Sequence, residues 1–369
     1  MGRLLKVALL IAVGGLLYLG VAAFWPAPAG AATGTGTGPE LESIGPITFG
    51  ADGTLFVADN RAASIFALDR QGLAGNGAPG AAAVEGIDQK IAALLGADAS
   101  SITVTDLAVH PKTGHVFLSV ARNGLTGGQP AVVRVDGSGA IDLVPLEGVS
   151  YSRVTLPNPP RALMGRGARV DTVTDMTLVG DRLWVAGLSN EEFSSKLRAV
   201  PYPFATVGGG VSVEIYHGSH GAYETRSPVY TFVPYSIDGE PHFIAGYLCT
   251  PLVKFPIAAL ESGGKIRGTT IAELGNMNRP LDMIVYQKDG RDFVLMSNNS
   301  RGVMKIPADT FGGAPPITEP VNAVRAGVRY EIIAAMKSVE QLDRLDTERA
   351  VLLTRRDDRA SDLRIVPLP

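Results

Sequence analysis

Apolar residues recur along this chain in short alternating runs, each bounded by Gly, Asp, Asn or Pro. A period of two with turn residues between the runs predicts β-strands joined by hairpins. The stretch "TVTDLAVHPKTGHVFLSVARNG" at 103–124 shows the unit. It has an apolar strand, a Pro-Lys-Thr-Gly turn, and a second strand of β-branched and aromatic residues. Relatives lie at 45–60 ("GPITFGADGTLFVADN"), 174–190 ("TDMTLVGDRLWVAGLSN") and 235–248 ("YSIDGEPHFIAGYL"). Two more, at 281–299 ("LDMIVYQKDGRDFVLMSNN") and 342–357 ("LDRLDTERAVLLTRRD"), bring the hairpins to six.

A third strand comes soon after each hairpin: "SIFALD" (64–69), "AVVRVD" (131–136), "KLRAVP" (196–201), "PLVKFP" (251–256), "VMKIPA" (303–308) and "DLRIVP" (362–367). In five of the six a Lys or Arg interrupts the apolar run, as expected of a strand with one buried and one wet face. Units of this kind, about 50–70 residues apart, cannot bury their faces singly and stack radially. The expected fold is all-β, a six-bladed β-propeller over 43–369. One short helix is expected in an inter-blade loop, "GIDQKIAALLGAD" at 86–98, with Ile87, Ile91, Leu94 and Leu95 at helical spacing. It links units one and two and should cap the polar face. The chain ends just after the sixth unit's third strand. A closed ring then needs one more outer strand, and "PELESI" at 39–44 is the candidate to supply it.

The N-terminus changes the picture of compartment. Arg3 and Lys6 precede an apolar run from Val7 to Trp25, and Ala29-Gly30-Ala31 offers a small-residue cleavage site. Residues 1–31 read as a signal peptide or, uncleaved, as a membrane anchor helix. Gly/Thr-rich residues 32–42 follow as a flexible leader. Both readings export the propeller, so it is expected to be extracytoplasmic, periplasmic or secreted.

Composition then excludes several classes. The 369 residues carry 44 Gly, 25 Pro and a formal net charge of −3. Without a basic stripe there is nothing to neutralise phosphates, so nucleic acid is not an expected partner. Cys249 is the only cysteine, which rules out a disulfide framework and any cysteine-rich metal or redox motif. Its neighbours in "AGYLCTP" suggest a small buried residue. The chain has no Walker loop, no H-E-x-x-H and no G-x-S-x-G. "TVGGGVSVEI" at 206–215 leads into a strand, which argues against a phosphate cradle.

"SIGPITFGADGTLFVADNRAASIFALD" resembles the NHL-repeat and gluconolactonase-like class of six-bladed propellers. The likeness lies in an apolar strand, an x-Asp-Gly turn, "LFVAD" and the third strand. That class includes lactone hydrolases, lyases and binding scaffolds, so it implies architecture rather than one activity. Metal-dependent lactonases of the class carry Asn-Gly or Asp-Gly at the head of their inner strands. The pairs here are Thr105-Asp106, Thr174-Asp175 and Leu281-Asp282, with the acid one position later.

Alignment on the turns puts Asp106, Asp175, Asp282 and Asp343 at one repeat position, with Pro46 and Phe232 there in units one and four. The second strands end on the same face with Asp59-Asn60, Arg122-Asn123, Ser189-Asn190, Asn298-Asn299 and Arg356-Asp357. Two roles compete for the acids: accepting backbone N–H bonds at a strand entrance, or lining a cation or substrate pocket. Asn60, Asn123, Asn190 and Asn299 are candidate ligand contacts, and turn formers otherwise. The loop "YHGSHGAYETRSP" at 216–228 adds His217, His220, Tyr223, Glu224 and Arg226. His220 or Glu224 is the candidate base; imidazole and carboxylate here could instead bind a transition metal, since zinc or copper would require the histidines, and an ordered surface loop is the structural alternative. Arg226 is a candidate ligand contact. His110, His115 and His242 sit at turns on the opposite face and are expected to be solvated. The Pro-rich stretch 150–172, with Arg153, Arg161, Arg166 and Arg169, reads as a linker or binding loop.

Two functions stay open. One is an exported, monomeric propeller presenting its polar face to a small molecule, a glycan or another exported protein. It would touch a membrane only through an uncleaved N-terminus. The alternative is a metal-dependent hydrolase or lyase of the lactonase kind. A divalent cation, calcium for an all-oxygen site, would be held by Asp106, Asp175, Asp282 and Asp343.

Overall fold

A computed structural model describes residues 31–34, 38–69, 73, 75, 77–122, 129–162, 168–249 and 251–369. The expected signal or anchor segment up to residue 30, Asn123 and Arg166 lie outside the described residues. Among the described residues, no helix is long and apolar enough to cross a membrane.

All six hairpins form, each joined by its third strand in one sheet. The chain is a six-bladed β-propeller. Blade 1 holds Ile47–Phe49, Leu55–Asp59 and Ser64–Leu68, and blade 2 Ile102–Val109, Val116–Arg122, Gln129–Val135 and Ile141–Leu143. Blade 3 holds Asp175–Val179, Arg182–Leu188, Ser195–Pro201 and Val211–His217, and blade 4 Val229–Ile237, Glu240–Tyr247, Pro251–Pro256 and Thr269–Glu273. Blade 5 holds Pro280–Lys288, Arg291–Asn298, Met304–Pro307 and Glu331–Ile332, and blade 6 Val339–Arg344, Arg349–Arg355 and Ser361–Pro367. Leu55–Asp59 is buried at every position and the other second strands everywhere but near their ends, because neighbouring blades cover both faces. That is why their sequences are unbroken apolar runs.

The blades do not follow chain order around the ring. Six apolar clusters join blade 1 to 3, 3 to 4, 4 to 5, 5 to 6, 6 to 2, and 2 back to 1. Blade 2 is inserted into blade 1, whose fourth strand, Tyr151–Thr155, arrives only after blade 2 is complete. The stretch 150–172 is therefore partly a blade strand and not simply a linker or lid.

This order also relocates the closure. The segment before blade 1 stays with blade 1. Ala31–Gly34 pairs outside Tyr151–Thr155, and the Glu42 and Ser43 amides donate to Asp59 at 2.7 and 3.1 Å. It cannot reach blade 6, because blade 2 stands between them. Val84 instead pairs with Leu363 on the open edge of blade 6, N–H to O=C in both directions at 2.8 and 2.9 Å. The helix Ile87–Leu94 follows and seals the junction of blades 6 and 2, burying Ile87, Ile91 and Ala92. Asp88 accepts from the Ser361 amide (3.0 Å), and Asp362 from the Gly86 amide (2.8 Å).

Candidate functional site

Inner strands start on one face, the entry face, where second and fourth strands end. Four of the six inner strands carry a register break near their start, at Val104/Asp106, Val229/Thr231, Pro280/Asp282 and Val339/Gln341. A bulge adds one residue and re-aims its neighbours. Here it separates two layers of side chains around the axis. Thr105, Tyr230, Leu281 and Gln341 line an outer mouth of about 340 Å³, together with Asn60, Asp171 and Arg279. Asp106, Asp175, Asp282 and Asp343 line a lumen of about 530 Å³, otherwise walled largely by apolar residues.

The four aspartates share one hydrogen-bond pattern. Oδ1 accepts from the next residue's amide: Leu107 (2.8 Å), Met176 (2.6 Å), Met283 (2.7 Å) and Arg344 (2.6 Å). Oδ2 accepts from the next blade's inner strand. Asp106 takes Ile47 (2.7 Å), Asp175 takes Phe232 (2.8 Å), Asp282 takes Leu342 (2.9 Å) and Asp343 takes Val109 (2.7 Å). Each acid is a staple between blades, in the direction 3 to 4, 5 to 6, 6 to 2 and 2 to 1. At the 1-to-3 junction Asn60 takes over. Its amide donates to Val170 and Val173 carbonyls (2.8 and 3.1 Å) and accepts from the Val173 N–H (2.8 Å).

The acids also converge. Burial pushes all four up, against the pull of their backbone donors: Asp175 to about 7 and Asp343 to about 6. Asp106 and Asp282 are likewise pushed well above the carboxylate range, by burial first and then by repulsion from other lumen acids. At the mouth, the Arg279 guanidinium stacks 4.3 Å from the Tyr230 ring centroid. Burial raises Asp171, partly offset by Arg279.

The histidine loop forms a second cluster on the same face, at the rim between blades 3 and 4. Val211–His217 ends at His217, a tight turn covers Gly218–His220, and Ala222–Glu224 doubles back. Glu224 Oε1 lies 2.5 Å from His220 Nδ1 and 3.1 Å from His217 Nδ1. Burial alone would raise Glu224, but the hydrogen bonds and charges of the two imidazoles outweigh it and hold it at about 2. Glu273, from the end of blade 4, accepts from the Gly218 amide (2.6 Å) and the Ser219 hydroxyl (3.2 Å). His220 and Glu224 are in contact with each other, and neither lines the mouth or the lumen.

Other candidates fall elsewhere. Asn299 accepts from the Arg279 amide at 2.7 Å and so anchors a mouth residue from outside. Asn190 and Arg226 are exposed and line neither chamber. His110, His115 and His242, expected to be solvated, are buried. His110 Nδ1 accepts from the Lys112 and Thr113 amides, and His115 Nε2 meets the Ala78 carbonyl at 2.9 Å, so each organises a loop. Sequence reasoning missed Tyr230, Arg279, Gln341 and Asp171. The first three precede the aspartate position of their own repeat by two or three residues, so extending the hairpin alignment upstream would have found them.

Neither a protein-family model nor a curated protein matches the chain. Solved structures similar to it include the PQQ-bound aldose sugar dehydrogenase of Streptomyces coelicolor, at 12% identity and a TM-score of 0.32, covering 93% of this chain and 100% of that one. The periplasmic gluconolactonase of Pseudomonas aeruginosa shows 13% identity and a TM-score of 0.35, with 93% and 100% covered. A putative 6-phosphogluconolactonase of Bacteroides uniformis shows 11% identity and a TM-score of 0.32, with 93% and 80% covered. At these values no activity transfers to this chain.

Proposed function

We propose that this protein is an exported propeller that binds a small polyhydroxylated molecule in the mouth on the propeller axis. The observation that carries the reading is the mouth's lining. Hydroxyl and amide groups of Thr105 and Gln341, the Tyr230 ring, and the Arg279 and Asp171 charges surround about 340 Å³. That space suits a ligand of sugar size, and such sites combine apolar walls with a few placed polar groups. Titration calorimetry against a panel of sugars, sugar acids and lactones tests it. Saturable binding that weakens at least tenfold in Gln341→Ala and in Arg279→Ala supports the reading. Absence of saturable binding across the panel, or binding indifferent to both substitutions, rejects it.

A second reading is metal-dependent hydrolysis of a lactone-like ester at the lumen, and one observation favours it. Four carboxylates converge on that one chamber. The donor set also fits a hard cation. Each carboxylate oxygen accepts one backbone N–H and keeps lone pairs, and the mutual repulsion of the acids is what a dication would relieve. Asp106, Asp175, Asp282 and Asp343 would hold calcium or another oxygen-preferring cation. His220 and Glu224 take no part in this reading, since they line neither chamber. Calcium-dependent lactone hydrolysis lost in Asp175→Asn would favour it over simple binding.

A further inference from the structure

We propose that His217, His220 and Cys249 form a binding site for a borderline d-block dication, zinc or copper, at the rim between blades 3 and 4. The site stands apart from the mouth and lumen and does not depend on their function. One ligand atom from each of the three residues lies within 4.8 Å of the other two. A metal with bonds of about 2.0–2.3 Å to N and S needs its ligands somewhat closer than this. The closure falls to His220, whose side chain is half exposed.

The second observation is His217 itself. The side chain is 1% exposed, and neither ring nitrogen makes a hydrogen bond of acceptable geometry. A buried imidazole in that state carries a desolvation cost that the facing Glu224 and Glu273 carboxylates offset through charge and not through a well-formed hydrogen bond. Coordination to a metal would satisfy one nitrogen.

The surroundings supply the supporting roles of a metal centre. Glu224 faces Nδ1 of both histidines, which leaves Nε2 of each ring for the ion. Ligating histidines are oriented by carboxylates in this way. Glu273 is fully buried with Oε2 3.8 Å from His217 Nε2, which places a negative charge beside the three ligands. With neutral imidazoles, a thiolate and the Glu273 carboxylate balance a charge of +2. The thiolate and imidazoles select against calcium and magnesium, which take oxygen ligands. The turn that folds His220 over His217 depends on Gly218. A Cβ there would lie 2.8 Å from Val321 and 3.0 Å from Ile317. The three ligands come from two blades, so the ion would bind blade 3 to blade 4.

The test uses the full-length protein stripped with a chelator, then titrated with Zn2+ and Cu2+ by competition and with Co2+ by absorbance. One equivalent bound, with a thiolate-to-metal charge-transfer band for Co2+ or Cu2+, is the expected result. Cys249→Ser should abolish the band. His220→Gln, at a half-exposed position that folding tolerates, should weaken binding at least tenfold and remove the metal-dependent rise in Tm. Preference for copper over zinc with the same dependence supports the site equally. Absence of stoichiometric binding, or binding indifferent to both substitutions, overturns it. So does loss of the band in Asp282→Asn, which would move the metal to the lumen. Sugar binding at the mouth should persist in His220→Gln, so the two readings fail separately.

Discussion

In the lumen, Asp106, Asp175, Asp282 and Asp343 spend both carboxylate oxygens on backbone N–H groups of two adjacent blades. At the rim, one oxygen of Glu224 faces two imidazoles, and buried His217 meets Glu224 and Glu273 only as ion-pair contacts. Burial opposes charge in both places, but the outcomes diverge. The lumen acids are pushed up, whereas Glu224 is held down at about 2. A repeat position therefore yields architecture first, because every copy faces the same main-chain donors. A cluster made by one loop has no such obligation, and its side chains are left to meet one another.

The contrast breaks most easily at a staple. Asp282→Ala removes the acceptor for the Met283 and Leu342 amides and should cost about 3 kcal/mol, with Asp282→Asn recovering part of it. A loss below about 0.5 kcal/mol in urea unfolding would show that the lumen acids are not structural. Backbone pairing should matter somewhat less at the ring closure. Val84→Pro removes the amide bonded to Leu363 and should cost about 2 kcal/mol, read as a lower urea midpoint.

Titration sharpens the difference further. An acid whose folded pKa lies above its unfolded value binds its proton more tightly in the native state. Its contribution is complete below 3.8 and is lost as pH rises through about 6 for Asp343 and about 7 for Asp175. The urea midpoint should therefore fall between pH 4 and pH 7.5, and Asp175→Asn should flatten the slope. A midpoint that rises across this window would contradict the buried, repelling lumen. The smallest effect is expected from Arg226→Ala and Asn190→Ala. Exposed and outside both chambers, they should leave stability and mouth binding unchanged, checked by unfolding and calorimetry.

Much of this was legible in the sequence. The six hairpins, their third strands and the shared aspartate position could be read, because strand alternation and turn chemistry are local. The order of blades could not. The apolar pattern of "SIFALD" states that Ser64–Leu68 is a strand, but nothing in it says that its outer neighbour is Tyr151–Thr155. For the same reason Val84 escaped notice as the closing residue, being a single bridge outside any strand pattern. Burial of His110, His115 and His242 was hidden too, since a turn residue looks solvated until the neighbouring blade is placed over it.

The insertion of one blade within another has a consequence for how the chain is born. When Ser64–Leu68 leaves the ribosome, more than eighty residues must still be synthesised before its partner exists. Until then the nascent first sheet shows an open, apolar flank of the kind that recruits stray strands. Contacts so distant in sequence also slow folding. Expression should therefore depend on holdase chaperones more steeply than for a propeller whose blades are completed in turn.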